Sequence, residues 1–493
     1  MGFLGQIETL LQFDYILIMI GAVLFGLIVG ILPGLGGSVT LALLIPITFS
    51  MSPEAAIVLL MSAYSAVNYG GSITSILVNT PGDAANAATT FDGYPLAKQG
   101  KAKMAISASI FASVLGGFIG LFILDLLIPV ARNLVLAFSY PEFFMLALFG
   151  LTVIAVITQG NTFRGLISAM FGLMLAYIGT DPLLGLDRFT FGSDYLWDGL
   201  DLVPVIIGLF AITEAFELFK QRESVSSDIK VSGSGTFDGI KEVFKNFGLF
   251  LRSCFIGIFI GIIPGVGGSV ASFLSYGMAV QSSKNPEKFG KGAIEGVIAV
   301  ESANDAKEGG ALLPTIAFGI PGSSAMAVLV GGLLMHGLAP GPEMLTTDIE
   351  LTYLLIAAAV LGKVFAGLIS FLVGTRLVFI TKVKGTLMAP GIIAVALVGS
   401  YATAGHFEDV IVALLFGLIG FYMKKFGYSR IALIIAIVLG GLLESSYYQS
   451  MTTFGAAGFV NRPIALVLLG MTVLSLVWPY ARTRLKSRKE SRA

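Results

Sequence analysis

Long apolar runs dominate the chain. Tyr15 to Leu32, Phe143 to Ile157, Leu351 to Val373 and Ile464 to Val477 are apolar over all or most of the length that a bilayer-spanning helix requires. They are continuous in Leu, Ile, Val, Ala and Gly and do not alternate, so they predict helices and not the ten-residue alternating segments of a membrane β-barrel. The reading is an all-α, polytopic helical membrane protein. No soluble domain interrupts it. The longest polar segment, Lys220 to Lys245, mixes both charge signs with Ser and Gly and reads as a linker between two halves.

Within this pattern one interruption occurs twice. GILPGLGGSVT, Gly30 to Thr40, is answered by GIIPGVGGSVA, Gly261 to Ala271, with eight of eleven positions identical. Aligning the halves on it brings GGSITSILVNTPG (Gly70 to Gly82) opposite GGALLPTIAFGIPG (Gly309 to Gly322), and MSPEAA opposite KNPEKF. Each half therefore carries a P-G-x-G-G-S break and a later P-G tip. Helices broken at corresponding places in two halves mark a transporter's binding site. The flanking runs GLIVG and GIFIG read as helix-packing features.

Charge adds direction, because cytoplasmic loops collect Lys and Arg. After the second break the first half has Lys98, Lys101 and Lys103, whereas the second has Glu343, Asp348 and Glu350; between the breaks the bias reverses, with Lys284, Lys288 and Lys291 in the second half alone. Corresponding loops thus fall on opposite faces, which predicts inverted-topology repeats. The path that fits puts the N-terminus outside, the linker inside and the tail RTRLKSRKESR, with six bases against one acid, inside. The expected divisions are a first repeat over 1–219, a cytoplasmic linker over 220–249, a second repeat over 250–462, and a final spanning helix with a basic tail over 463–493.

Composition narrows the function. The chain has 493 residues, 56% hydrophobic and 12% charged, where soluble chains carry about 25% charged residues. Formal net charge is zero, so no nucleic-acid partner is expected. Cys254 is the sole cysteine and His336 and His406 the sole histidines, which leaves no disulfide and no cysteine- or histidine-built metal site. The N-terminus lacks a signal peptide's basic start and cleavage site, so the first run reads as a retained helix. There is no G-x-x-x-x-G-K-[ST], no H-E-x-x-H and no nucleophile triad, so a membrane enzyme is disfavoured and any uphill transport needs an ion gradient or another chain. A channel with re-entrant loops stays open as an alternative; it would carry current with no binding protein.

Non-helical backbone at membrane depth survives only around a watery or protein-lined cavity. There, helix N-termini suit anions, and free carbonyls suit cations. The first half offers Gly34, Gly36, Gly37 and Ser38, then Asn79, Thr80, Pro81, Gly82 and Asp83. The second offers Gly265, Gly267, Gly268 and Ser269, then Gly319, Pro321, Gly322, Ser323 and Ser324. Asn68, Ser302 and Asn304 are further polar candidates. Glu301, Asp305, Lys307 and Glu308 are either functional intramembrane charges or interfacial loop residues. Asp92, in a turn-like FDGYP, is expected at the interface, Glu214 and Glu217 at a helix end, and His336 as a satisfied buried histidine.

GILPGLGGSVT, YGGSITSILVNTPGDAANAATTFDGYPLAKQGKA, GIIPGVGGSVA and ALLPTIAFGIPGSSAMAVLVGGLLMHGLAPGP resemble the signature regions of the large membrane subunit of tripartite tricarboxylate transporters, the TctA family. The resemblance runs over nearly the whole chain. It implies a bacterial inner-membrane secondary transporter for carboxylates, with a small TctB-like membrane subunit and a periplasmic TctC-like binding protein. It further implies a sodium or proton gradient as driving force and an elevator mechanism; a homodimer is also expected, and no cofactor. On that reading the two P-G-x-G-G-S loops (Gly34, Gly36, Gly37, Ser38, Gly265, Gly267, Gly268, Ser269) and the second tip (Pro321, Gly322, Ser323, Ser324) hold the carboxylate. Asn68, Asn79, Thr80, Pro81, Gly82, Asn304 and Gly319 serve the coupling cation. Scarcity of buried acids favours sodium over protons. The first tip, N-T-P-G-D, departs from the second, G-I-P-G-S, and an anion at both would meet repulsion from Asp83 unless that carboxylate holds a cation or points away.

Overall fold

A proline following an apolar helix removes a donor and ends the run, and the chain uses this in both halves. Helix Phe13–Ile31 stops before Pro33, turns through Gly34 at φ +82° and restarts as Gly37–Thr48. Helix Phe247–Ile262 stops before Pro264, turns through Gly265 at φ +74° and restarts as Gly267–Ser282. This computed structural model describes residues 2–157, 162–181, 185–220, 235–377 and 385–490.

After each break comes a long helix, Pro53–Val78 and Ile294–Phe318. Each stops on a left-handed residue, Asn79 at φ +59° and Gly319 at φ +65°, the conformation that commonly closes a helix C-terminus. A Pro-Gly tip follows, then a new start: the short 3-10 turn Ala84–Thr89 running into helix Thr90–Lys98, and helix Ser324–Met335. Break and tip are tied by the same backbone bond in both halves. The Gly34 N–H donates to the Gly82 carbonyl at 3.0 Å, and the Gly265 N–H to the Gly322 carbonyl at 3.2 Å.

The halves are interlocked. Pro53–Val78 packs on Phe13–Ile31 of its own half and on Ile349–Leu377 of the other; Ile294–Phe318 packs on Phe247–Ile262 and on Ala102–Leu136. Both long helices are surrounded by protein, which a helix at the centre of a membrane bundle must be to carry polar residues. Around this centre lie helices Tyr140–Ile157, Thr162–Ala176, Leu202–Lys220 with a π-turn at Ile207–Ile212, Gly385–Ala404, Phe407–Phe426, Arg430–Thr453 and Pro463–Glu490. Among the described residues, strand is confined to Gly179–Thr180 paired with Asp187–Arg188. Among the described residues, seven helices are long and apolar enough to span a bilayer, or eight if the pair Thr236–Lys245 and Phe247–Ile262, bent by 79°, is one span.

Several expectations change here. Of the expected linker, residues 236–245 form a helix against Ala102–Leu136, while residues 221–234 lie outside the described residues. Asp92 is not an interfacial turn residue. It is buried in helix Thr90–Lys98, accepting from the Gly292 and Ala293 N–H groups at 2.9 and 2.8 Å and from the Tyr276 hydroxyl at 3.0 Å. It thereby caps the start of Ile294–Phe318, a contact between segments two hundred residues apart. Glu301, Asp305, Lys307 and Glu308 are buried in that helix, so the interfacial-loop alternative fails.

Two devices let the halves meet. One is glycine at backbone crossings: a Cβ on Gly309 would lie 2.0 Å from the Gly120 carbonyl oxygen, and one on Gly120 2.3 Å from that of Ala306. The glycines of GLIVG and GIFIG serve the same end within each half, Gly26 and Gly30 against Ala63 and Val67, Gly257 and Gly261 against Ala303 and Lys307. The other is a dry ion cluster. The wholly buried Lys363 ammonium lies 2.5 Å from Asp305 Oδ1 and 2.7 Å from Glu308 Oε2, and Asn68 Nδ2 donates to Glu308 Oε1 at 2.8 Å. Gly117 makes room for the lysine stem, since a Cβ there would sit 2.3 Å from Lys363 Cδ.

Gly309→Leu should separate the crossing helices and cost about 3 kcal/mol, read as a lowered unfolding midpoint in detergent. Lys363→Met should cost about 3–5 kcal/mol by leaving carboxylates buried without their cation. The triple variant Lys363→Met/Asp305→Asn/Glu308→Gln should recover most of that loss in the same measurement.

Candidate functional site at the helix breaks

The two breaks and two tips meet around a pair of adjoining cavities, of about 320 and 370 Å³, whose walls share Asp83, Ala84, Ser324 and Ile431. Gly37, Tyr64, Asn68, Gly265, Gly267, Gly268, Ser269, Lys307 and Ser323 line the first. The second is lined by Gly34, Gly36, Ser38, Pro81, Gly82, Phe210, Glu214 and Arg430.

Helices Gly37–Thr48, Gly267–Ser282 and Ser324–Met335 all begin at these walls. The first N–H groups of a helix have no partner within it and carry partial positive charge, so they suit an anion. Ser323 caps its helix by accepting from the Met326 N–H at 3.3 Å. At Gly36, Gly37 and Gly268 side chains occupy the space a larger residue would need. A Cβ on Gly36 would lie 2.2 Å from Asp83 Oδ2, one on Gly37 2.6 Å from the Tyr64 ring, and one on Gly268 2.8 Å from Lys307 Cε and 2.9 Å from Asn304 Oδ1. Asp83 therefore stands against the first break, between the two cavities.

Each cavity has one basic residue. The Lys307 ammonium, 6% exposed, donates to the Tyr64 hydroxyl at 3.3 Å, and among the described residues no carboxylate lies within 4 Å of it. Arg430 is engaged already, bonded to the Leu209 carbonyl at 2.8 Å and to Glu214 Oε1 at 3.1 Å, while Lys424 holds the other Glu214 oxygen at 2.7 Å. The positive charge with least compensation is thus Lys307.

The structure gathers Gly34, Gly36, Gly37, Ser38, Asn68, Pro81, Gly82, Gly265, Gly267, Gly268, Ser269, Ser323 and Ser324 onto the cavity walls. Asn304 lies directly behind Gly268, wholly buried, with neither amide atom hydrogen-bonded. Pro321 and Gly322 are buried behind the second tip, where Gly322 holds Gly265. Asn79, Thr80 and Gly319 line neither cavity: Asn79 and Gly319 are the left-handed helix stops, and the Thr80 hydroxyl donates to the Val78 carbonyl at 3.3 Å. His336 is half-buried and paired with the Thr48 hydroxyl at 3.0 Å, as expected. Glu214 is buried mid-helix at a cavity wall rather than at a helix end, because the π-turn carries Leu202–Lys220 through it.

The sequence reading missed Tyr64 and Arg430 at the walls and Lys363 in the ion cluster. For Lys363 a signal existed: it is the one charge inside the run Leu351 to Val373, and a lone intramembrane charge is a functional candidate by default. Arg430 closes the short basic stretch Lys424 to Arg430, which in sequence reads simply as a cytoplasmic loop. Tyr64 had no signal, since a tyrosine in an apolar helix is ordinary.

No solved structure matches the chain. An uncharacterised 52.8 kDa protein in the TAR-I ttuC′ 3′ region of Agrobacterium vitis is 33% identical over 459 residues, 92% of this chain and 91% of that protein. An uncharacterised protein in the TAR-II ttuC′ 3′ region of the same organism is 33% identical over 224 residues, 45% of this chain and 92% of its own length. The family described as tripartite tricarboxylate transporter TctA matches residues 16–435, a span that holds both breaks, both tips and every cavity-lining residue. The chain belongs to the tripartite tricarboxylate transporter TctA family.

Proposed function

We propose that the chain is the subunit through which a di- or tricarboxylate crosses a bacterial inner membrane, binding in the paired cavities at the helix breaks. The observation that carries this is the convergence of three helix N-termini with the under-compensated Lys307 ammonium on one wall-sharing pair of cavities. Fixed amide dipoles and one ammonium in a water-poor site favour a carboxylate far more than they would in water. Asp83, between the cavities, limits how much negative charge can sit at the first break.

The remaining parts of the reading follow from the same arrangement. The recurrence of break, long helix, tip and the Gly34–Gly82 and Gly265–Gly322 bonds supports two repeats, about 1–219 and 250–462, and the opposite loop charges support their inversion, with an outside N-terminus and an inside C-terminus. A central pair of protein-enclosed helices carrying the site, with other helices around it, suits an elevator in which the site moves against a scaffold. A small membrane subunit and a periplasmic binding protein complete the system, and a second copy of the chain pairs with it. A cation gradient drives import. The scarcity of buried acids no longer favours sodium, because Glu301, Asp305 and Glu308 are all within 2% of full burial, so the cation is sodium or a proton.

Carboxylate uptake into proteoliposomes holding the chain and both partner proteins tests this. Lys307→Met should weaken substrate affinity by about 30-fold or more, the cost of removing one member of a buried charge pair. Ser269→Trp and Ser323→Trp should each abolish uptake while membrane insertion persists; full uptake by both would place the substrate elsewhere. Current through the chain alone, without the binding protein, would favour a channel.

A further inference from the structure

Glu301 has an environment unlike that of the other buried charges. Its carboxylate is wholly buried, and its partners are three hydroxyls: Thr89 at 2.5 Å on Oε1, and Ser72 at 2.7 Å and Ser113 at 3.2 Å on Oε2. The three come from three different elements of the first half, while Glu301 belongs to the second. Among the described residues no Lys, Arg or His is within ion-pair distance of it.

The seam around it does not balance. Glu301, Asp305 and Glu308 are three buried carboxylates, and Lys307 and Lys363 two buried ammoniums. Lys363 is held by Asp305 and Glu308, and Lys307 faces Tyr64 at the cavity. The other titratable groups facing this helix are Tyr69 from Pro53–Val78, whose hydroxyl is buried and unpartnered, Cys254 from Phe247–Ile262, Tyr276 from Gly267–Ser282, Asp92, already held by Tyr276 and two N–H groups, and Lys288, paired with Glu295 in the helix's first turn. None is paired with Glu301. An isolated carboxylate away from water is strongly unfavourable. Two further acceptors in the seam are also unsatisfied: Asn86 Oδ1, on a side chain whose Nδ2 donates to Ser72 Oγ at 2.9 Å, and Asp305 Oδ2. Unsatisfied acceptors beside an uncompensated carboxylate call for a cation.

We infer that Glu301, with the hydroxyls of Ser72, Thr89 and Ser113, is the binding site of the coupling cation, a single proton or sodium ion. Hydroxyls donate or accept by rotating, so the cage satisfies the carboxylate both empty and occupied. Its ligands are hard oxygens, suited to a sodium ion as well as to a proton. Glu301 and Lys307 lie six residues apart on one enclosed helix, a rise of about 9 Å, so the cation site and the carboxylate cavity are fixed to the same rigid element. Filling the Glu301 site removes a negative charge close to where the carboxylate must bind, which favours the two arriving together.

The inference rests on the chain being a gradient-driven carboxylate transporter, and the test separates the two. The chain with both partner proteins is reconstituted, and gradient-driven accumulation is compared with exchange of labelled for preloaded substrate, which needs no gradient. Wild type should exchange, and should accumulate with either a sodium gradient at equal pH or a pH gradient without sodium; the gradient that works identifies the ion. Glu301→Gln, neutral and of the same shape, should keep exchange and lose accumulation under both gradients. Ser113→Ala, a gentler change, should raise the half-saturating cation concentration by roughly tenfold, as expected for one hydrogen bond to a charged group. Accumulation by Glu301→Gln at the wild-type level, or an unshifted cation dependence in Ser113→Ala, overturns the cation site. Absence of exchange in wild type overturns the transporter reading instead.

Discussion

Backbone N–H and C=O groups in the middle of a membrane must find partners within the protein, and the two Pro-Gly breaks put several of them at risk. The bonds from Gly34 to Gly82 and from Gly265 to Gly322 meet part of that demand by tying each break to the tip that follows it. The tie fixes where the next helix begins. Because it is made in both halves, three helix N-termini and a 3-10 turn are delivered to one place, and their remaining free donors define the cavities. The site is thus a consequence of satisfying the chain at its interruptions.

The same demand explains what stands behind the site. Broken helices need a protein enclosure, and the long helices Pro53–Val78 and Ile294–Phe318 provide it by each packing against a helix of the opposite half. That crossing requires backbone approach, which Gly120 and Gly309 permit. It also buries five charges, of which Lys363 is held between Asp305 and Glu308. Such a cluster is weak as a source of stability. Asp305 and Glu308 lie within one helical turn of Lys307, so the cluster sits directly behind the cavity wall.

Much of this was legible in the residues. Apolar run length showed a helical membrane protein, and the repeat of P-G-x-G-G-S with a later P-G tip singled out about half of the cavity wall, because a proline and clustered glycines in an apolar run have few uses at membrane depth. Asn79 and Gly319 were legible as break residues but not as helix stops, since a left-handed residue and a ligand look alike in sequence. Asp92 looked like a turn for the same local reason: FDGYP has turn composition, and only the arrival of Gly292 and Ala293 turns its carboxylate into a buried cap.

By itself the sequence determined where helices must break and that the break motif recurs, since both are local properties of proline, glycine and hydropathy. Tertiary structure alone decided which side chains face the breaks. Tyr64 meets Lys307 across 243 positions, Arg430 reaches the second cavity from near the far end of the chain, and Lys363 enters a cluster whose carboxylates lie on another helix. Charge compensation in a dry interior depends on distances of a few ångströms, and no local pattern encodes which distant residue will stand that close.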